Sequence, residues 1–330
     1  MPKKGWRAAQ SHLKIKRKTK LALIVLGLVI VLIILGQVVN FTKVLFSPMN
    51  LKGLAKQDLW DGAFNINLVL RTNPISVVSF NPTQKAITLI ELADETYLEV
   101  PQGFGKWQLR SVYDLGGGKL LKDSLTSFLA VPIDGMLELG GPLTGKKAME
   151  IVEMMKNPAD IFTLLPNLTT DLTLWDLLHL SWEISQVRFD KIKNIDLVQL
   201  NILEKLKLSD GSEVLIADPI RLDDILADLK DPTISSQNLS IAIFNGTPHP
   251  FLAQKAARII TNLGGNVIIT ANAQDHVNKT HIFGQKSATL KRLIQIFGGI
   301  INPKLLGETV SRAQINILLG EDFYQRVGNK

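Results

Sequence analysis

Residues 21–39 (LALIVLGLVIVLIILGQVV) are apolar without interruption. The run is nineteen residues long and uncharged, with Gln37 as its strongly polar side chain. At 1.5 Å rise per residue a helix of this length reaches about 28 Å, one hydrocarbon core. A lone span in lipid has to satisfy its own backbone hydrogen bonds, which a helix does. The pattern then breaks into shorter units. Residues 64–70, 75–80 and 86–92 are rich in Ile, Val and Leu and predict strands. Asn81-Pro82-Thr83-Gln84 supplies turn chemistry that joins the last two as a hairpin. Residues 97–100 extend a strand that Pro101-Gln102-Gly103 ends. After Gly116-Gly117-Gly118, residues 119–129 set Leu121, Leu125, Phe128 and Leu129 at helical spacing. Residues 132–139 predict a strand and 146–156 a helix ending near Asn157-Pro158. At 170–178 a helix begins, capped by Thr170 or Asp171. Residues 191–207 mix extended and charged positions, 218–229 predict a short amphipathic helix, and 230–237 read as a polar linker.

The last hundred residues alternate more cleanly. A strand at 239–244, a turn at 245–248, a helix at 251–263 closed by Gly264-Gly265, a strand at 266–270, a helix at 287–297 closed by Gly298-Gly299 and a strand at 315–319 make a small α/β layer domain. The fold class is therefore α/β: one N-terminal transmembrane helix, a mixed-sheet α/β domain and a small α/β C-terminal domain.

Charge settles which surfaces matter. The chain carries 37 Lys+Arg and 30 Asp+Glu, net +7. Eight of the bases and none of the acids fall in the first twenty residues, leaving 29 bases and 30 acids for the rest. A nucleic-acid footprint needs bases gathered on the folded body, so no nucleic-acid partner is expected. The same asymmetry places residues 1–20 in the cytoplasm by the positive-inside rule. It puts the body outside the plasma membrane as a single-pass protein, with the tail able to touch anionic lipid. There are no cysteines, hence no disulfide framework, thiolate nucleophile or cysteine metal site.

Candidate chemistry is sparse. Gly116-Gly117-Gly118 is a weak phosphate-cradle pattern for which a plain loop is the better reading. Asp94 and Glu95 are adjacent on an extended segment and point to opposite faces. His249, His276 and His281 lack helical metal spacing, and His179 on an apolar helix reads as structural. Asn167, Asn238, Asn245 and Asn278 head glycosylation-type sequons, informative only in a eukaryotic secretory setting.

Two resemblances organise these segments. Residues 241–247 (IAIFNGT), Leu252-Ala253, 264–267 (GGNV) and 318–323 (LLGEDF) together resemble the LytR C-terminal domain of bacterial cell-envelope proteins. Residues 71–82 (RTNPISVVSFNP), 93–98 (ADETYL), 109–113 (LRSVY) with Gly116-Gly117, and Thr170-Asp171-Leu172 resemble the LytR–CpsA–Psr (LCP) domain in worn form. The implied boundaries are a basic cytoplasmic tail 1–20, a transmembrane helix 21–39, a juxtamembrane connector 40–60, a degenerate LCP-like domain 61–230, a linker 231–238 and a LytR C-terminal-like domain 239–326. The family transfers glycopolymers from a polyprenyl-pyrophosphate lipid to peptidoglycan, with arginines on phosphates and acids on a divalent metal. At the matching positions this chain has Asn73 for the metal-side Asp, Asp94 for a phosphate Arg, Gln108 for a Lys and Arg110 for an Asn. The late arginine-rich loop has no counterpart between Lys146 and Thr170. A pyrophosphate needs several bidentate cations, and Mg²⁺ needs carboxylates. The resemblance thus implies a membrane-anchored extracytoplasmic envelope protein without catalysis, binding a cell-wall glycopolymer, a lipid-linked precursor or an envelope partner. Arg71, Arg110, Tyr97, Asn245, Gly246 and Thr247 are its candidate ligand-binding residues. No catalytic residue, metal site or cofactor is expected; Mg²⁺ enters only under the alternative of a surviving transferase.

Overall fold

The computed structural model describes residues 26–43, 45, 59–141, 144–200, 202–301 and 311–328. The chain divides into two compact units: residues 1–47 with Thr173–Trp175, and the remainder, the body. In the first unit α1 (Leu26–Lys43) is exposed along its length and is long and apolar enough to cross a membrane. The basic tail, residues 21–25 of the expected span and most of the connector lie outside the described residues.

The body begins with β1 (Ile66–Leu70), β2 (Ser76–Asn81) and β3 (Ala86–Glu91). There follow β4 (Tyr97–Val100), β5 (Gly105–Gln108), α2 (Leu109–Leu129), β6 (Gly135–Leu139), α3 (Ala148–Met155), α4 (Pro158–Leu164), β7 (Leu168–Thr170), α5 (Leu174–Ser185) and β8 (Ile192–Asp196). One six-stranded sheet runs in the order β7-β6-β1-β2-β3-β8. β1, β2 and β3 are antiparallel neighbours, β6 lies parallel to β1 and β8 parallel to β3. Alternation with period two sorts the strands' side chains onto two faces. Ile66, Leu68, Leu70, Val78, Phe80, Ile87 and Leu89 join α3, α4 and α5 in one buried cluster. Val69, Val77, Ile90 and Ile195 join α2 in the other.

The second half holds β9 (Leu203–Lys207), β10 (Glu213–Ala217), α6 (Pro219–Ile225), α7 (Pro232–Gln237), β11 (Ser240–Asn245), α8 (Leu252–Asn262), β12 (Asn266–Asn272), β13 (His281–Gly284), α9 (Ala288–Phe297), β14 (Ile300–Ile301), β15 (Ile315–Leu319) and α10 (Glu321–Val327). Its five-stranded sheet runs β12-β11-β15-β13-β14, with β11 parallel to both β12 and β15. The mixed α/β class expected from the pattern is what the chain adopts.

Two segments depart from the sequence pattern. The residues expected to link the two domains form α7, because Asp231 caps its first turn, accepting from Thr233 N at 2.9 Å, and Ile234 is buried. The Gly116–Gly118 run is not a loop before a helix. α2 starts seven residues earlier, at Leu109, and bends where Gly116 (φ −159°) and Gly117 (φ +69°) leave helical geometry. A Cβ on Gly118 would stand 2.8 Å from Met136 Cε, so a larger residue there would push the Met136 side chain aside. The break expected at Pro101–Gly103 does end β4 at Val100, as a hairpin turn that returns the chain as β5.

The two expected domains share one core. A single buried cluster includes Val69, Val77, Leu121, Leu125 and Leu129 together with Ile241, Ile259, Ile260 and Phe323. At its edge sits Arg292 of α9, with a side chain 3% exposed. Its Nε donates to Asp231 Oδ2 at 3.1 Å, its Nη1 to Asp134 Oδ1 at 3.1 Å and its Nη2 to the Asn65 carbonyl at 3.3 Å. Its guanidinium carbon lies 3.8 Å from the Phe64 ring centre. Burial pushes the Asp231 carboxyl up, with the Arg292 charge pulling it back. Separately, Arg258 of α8 makes a two-pronged contact with Asp223 of α6 at 2.7 and 2.8 Å. Removing one member of a buried, hydrogen-bonded ion group leaves the other unpaired and costs about 3–5 kcal/mol. Arg292→Met is therefore expected to lower the urea-unfolding free energy of the body by about that amount. Arg292→Lys should also destabilise, because one ammonium cannot span both carboxylates in the same fork. Unchanged unfolding midpoints in both variants would remove the clasp from any structural role.

Candidate functional site

The positions matching the LCP-type phosphate and metal residues collect where β1 ends and α2 begins. Arg71 follows β1 directly, its N–H donating to Leu137 O of β6 at 2.9 Å. Its guanidinium is ion-paired with Glu138, lies 3.8 Å above the Tyr113 ring centre and stands 4.0 Å from Asp114. The Tyr113 hydroxyl donates to the other Glu138 oxygen at 3.1 Å. Burial, then the charge and hydrogen bond of Glu138, push the Tyr113 phenol up. Sequence reasoning singled out Arg71 and missed Glu138. The only signal for Glu138 was a lone acid in an otherwise apolar strand.

Asp94 and Arg110 lie beside this group. The Arg110 N–H donates to the Asp94 carbonyl at 3.2 Å, and the exposed Arg110 side chain attracts the Asp94 carboxylate. Burial first, and then neighbouring Glu95, push the Asp94 carboxyl up, while the Ile75 N–H and Arg110 pull it down. Asn73 is exposed. Two guanidiniums, Arg71 and Arg110, thus stand among four carboxylates, Asp94, Glu95, Asp114 and Glu138, and Arg71 is already engaged by Glu138. An incoming pyrophosphate would have to displace Glu138 and lie near Asp94 and Asp114. The donor set does not suit Mg²⁺ either: Asn73 is neutral, and both Glu138 oxygens already accept from Arg71 and Tyr113.

Tyr97 is half-buried on β4, opposite Gln108 of β5. It lines a cavity of about 180 Å³ with Phe128, Lys106 and Arg258 rather than joining Arg71. Asn245, Gly246 and Thr247 lie far along the chain at the end of β11, where they bond among themselves and to the fold. Asn245 Oδ1 accepts from Thr247 N at 3.1 Å and from Thr247 Oγ1 at 2.8 Å, and Asn245 Nδ2 donates to His249 O at 2.7 Å. Gly246 N donates to Leu319 O at 2.9 Å, and a Cβ there would meet that same oxygen at 2.9 Å. His249 Nε2 lies 3.2 Å from Glu321 Oε2 and its ring stacks on Tyr324 at 3.4 Å. Among the described residues no group of three His, Cys, Asp or Glu is placed to hold a metal.

Comparison with known proteins finds a family match at the C-terminal end. Residues 238–323 match the family model described as LytR cell envelope-related transcriptional attenuator. A curated relative, polyisoprenyl-teichoic acid–peptidoglycan teichoic acid transferase TagU of Enterococcus faecalis, is 37% identical over 65 residues. That stretch is 19% of this chain and spans about a fifth (21%) of the relative's length. Among solved structures, B. subtilis TagV is similar with a TM-score of 0.41 at 14% identity, covering 52% of this chain and 97% of that one. TagT bound to LI-WTA is similar with a TM-score of 0.43 at 15% identity, covering 55% and 97%. What these comparisons establish is a LytR C-terminal domain match over residues 238–323.

Glu138→Gln is expected to release Arg71 and raise affinity for inorganic pyrophosphate, read by calorimetry, by about five-fold. No gain would mean that Glu138 is not what occupies Arg71. The same substitution should bring the Tyr113 phenol back toward about 10. Because the fold holds the phenolic proton more tightly than the unfolded chain does, stability falls as pH rises from the ordinary tyrosine range through the raised value. Ultraviolet titration in a Tyr97→Phe, Tyr324→Phe background reads that shift, and an unmoved Tyr113 would contradict it.

Proposed function

We propose that this LCP-like chain with its LytR C-terminal domain is a membrane-anchored envelope protein that binds a cell-wall glycopolymer, a lipid-linked precursor or an envelope partner without transferring it. The observation that carries this reading is the self-neutralised group around Arg71. Phosphoryl transfer is mostly positioning and charge neutralisation. Here the cation that would do it is held by Glu138 and Tyr113 and flanked by Asp114. In this reading Arg110 offers the remaining cationic contact at that end, Tyr97 belongs to the separate cavity beside Arg258, and the Asn245–Thr247 turn contributes to shape rather than to charge. α1 spans the plasma membrane, the basic tail stays in the cytoplasm near anionic lipid, and the body faces outward. The charge asymmetry about the apolar run supports that orientation.

The second reading is a glycopolymer–peptidoglycan transferase with relocated phosphate ligands and Mg²⁺. It draws support from the name of the Enterococcus faecalis relative.

Purified full-length protein in detergent separates the two. Ligand that binds the folded state raises the melting temperature by mass action. Polyprenyl pyrophosphate with Mg²⁺ is expected to leave the melting temperature where it is. A rise abolished by Arg71→Ala would establish the transferase reading instead. Protease added to intact cells is expected to remove the body; its survival would reverse the orientation.

A further inference from the structure

The sheet face that packs under α2 changes character along its strands. Val69, Val77, Ile90 and Ile195 lie side by side across β1, β2, β3 and β8, and all four are in the buried cluster. Two residues away, at the strand ends opposite Arg71, the same four strands present Asn67, Ser79, Thr88 and Lys193 in one row. A strand buried on both faces normally continues apolar. Here an entire row is polar although Asn67, Ser79 and Thr88 are buried, and burying polar groups is costly unless they find partners.

Beyond that row is a groove of about 600 Å³, inside the range of ligand clefts. Ser79, Thr88 and Lys193 line it, the hairpin contributes Asn81 and Gln84, and Lys191 and Lys230 border it. Asn65, 1% exposed, also lines it. It donates to Leu229 O at 3.1 Å and Lys230 O at 3.0 Å, and its Oδ1 has no partner among the described residues. The lining holds three lysines and two aspartates, and Lys193 is paired with Asp228 at 2.6 Å.

We infer that this groove is a binding site for a short segment of a hydroxyl-rich, anionic chain. An apolar ligand would strip water from the amide and hydroxyl floor with nothing in return. A bare anion would meet Lys191 and Lys230 and leave the floor unmatched. A neutral polyol would match the floor and leave the positive excess unmatched. None of the lining residues is aromatic, so base stacking has no platform. The site lies at the other end of the sheet from Arg71 and stands whether or not that end takes a ligand.

Full-length protein in detergent would be titrated by fluorescence anisotropy with three labelled probes: poly(glycerol phosphate), dextran and inorganic polyphosphate. Poly(glycerol phosphate) is expected to bind most tightly. Thr88→Val, which keeps the side-chain shape, and Lys191→Ala, at an exposed position, should each weaken it about five-fold. Should Thr88→Val lower the melting temperature, Lys191→Ala alone decides. Dextran or polyphosphate binding as tightly as poly(glycerol phosphate) would overturn the ligand class. Unchanged affinity in Lys191→Ala, or a loss confined to Arg71→Ala, would overturn the site.

Discussion

A buried guanidinium has to be matched on every side, and in this protein that requirement joins segments far apart in the chain. Arg292 draws Asp134 from the turn before β6, Asp231 from the start of α7 and the Asn65 carbonyl from the approach to β1. Each partner has a second duty. Asp231 caps α7, and Asp134 Oδ2 accepts the Asn67 N–H at 2.9 Å. The ion group therefore fixes how β1 enters the first sheet and how the C-terminal domain sits against it. The geometry of both ends of that sheet depends on the placement.

The two ends carry opposite chemistry. Near Arg71 the charges cancel within the protein, and the phenol of Tyr113 closes the arrangement from below. At the far end the polar row across β1, β2, β3 and β8 is only partly matched from within. A likeness to LCP proteins directs attention to the first end. There Arg71 is already paired with Glu138.

Much of the fold could be read from the chain because its strands are short, β-branched and bounded by turn residues. The segments 315–319 and 97–100 coincide with β15 and β4, and β2 and β3 form the hairpin expected around Asn81-Pro82. β13, β14 and α10 were not foreseen. β14 has two residues, and β13 depends on pairing with β15, which is remote in sequence. The α7 helix was hidden because six polar-rich residues gain their helical form from a cap and one buried isoleucine. At the candidate site Arg71, Arg110 and Asp94 were legible through family likeness. Glu138 was not, since its meaning comes only from β6 lying parallel to β1. The groove was invisible for the same reason: Ser79, Thr88 and Lys193 are unremarkable until register sets them abreast.

The shared core also constrains the order in which the body can be assembled. Asn65 and Arg292, which bond directly, are separated by 227 residues. The apolar face carried by Leu121, Leu125 and Leu129 has to wait for Ile259, Ile260 and Phe323 before it is covered. Contacts of such long range form slowly, because loop closure is opposed by chain entropy until distant partners arrive. A nascent chain that has produced only the first 230 residues holds an uncovered sticky surface. That surface is covered only once the C-terminal third has been made.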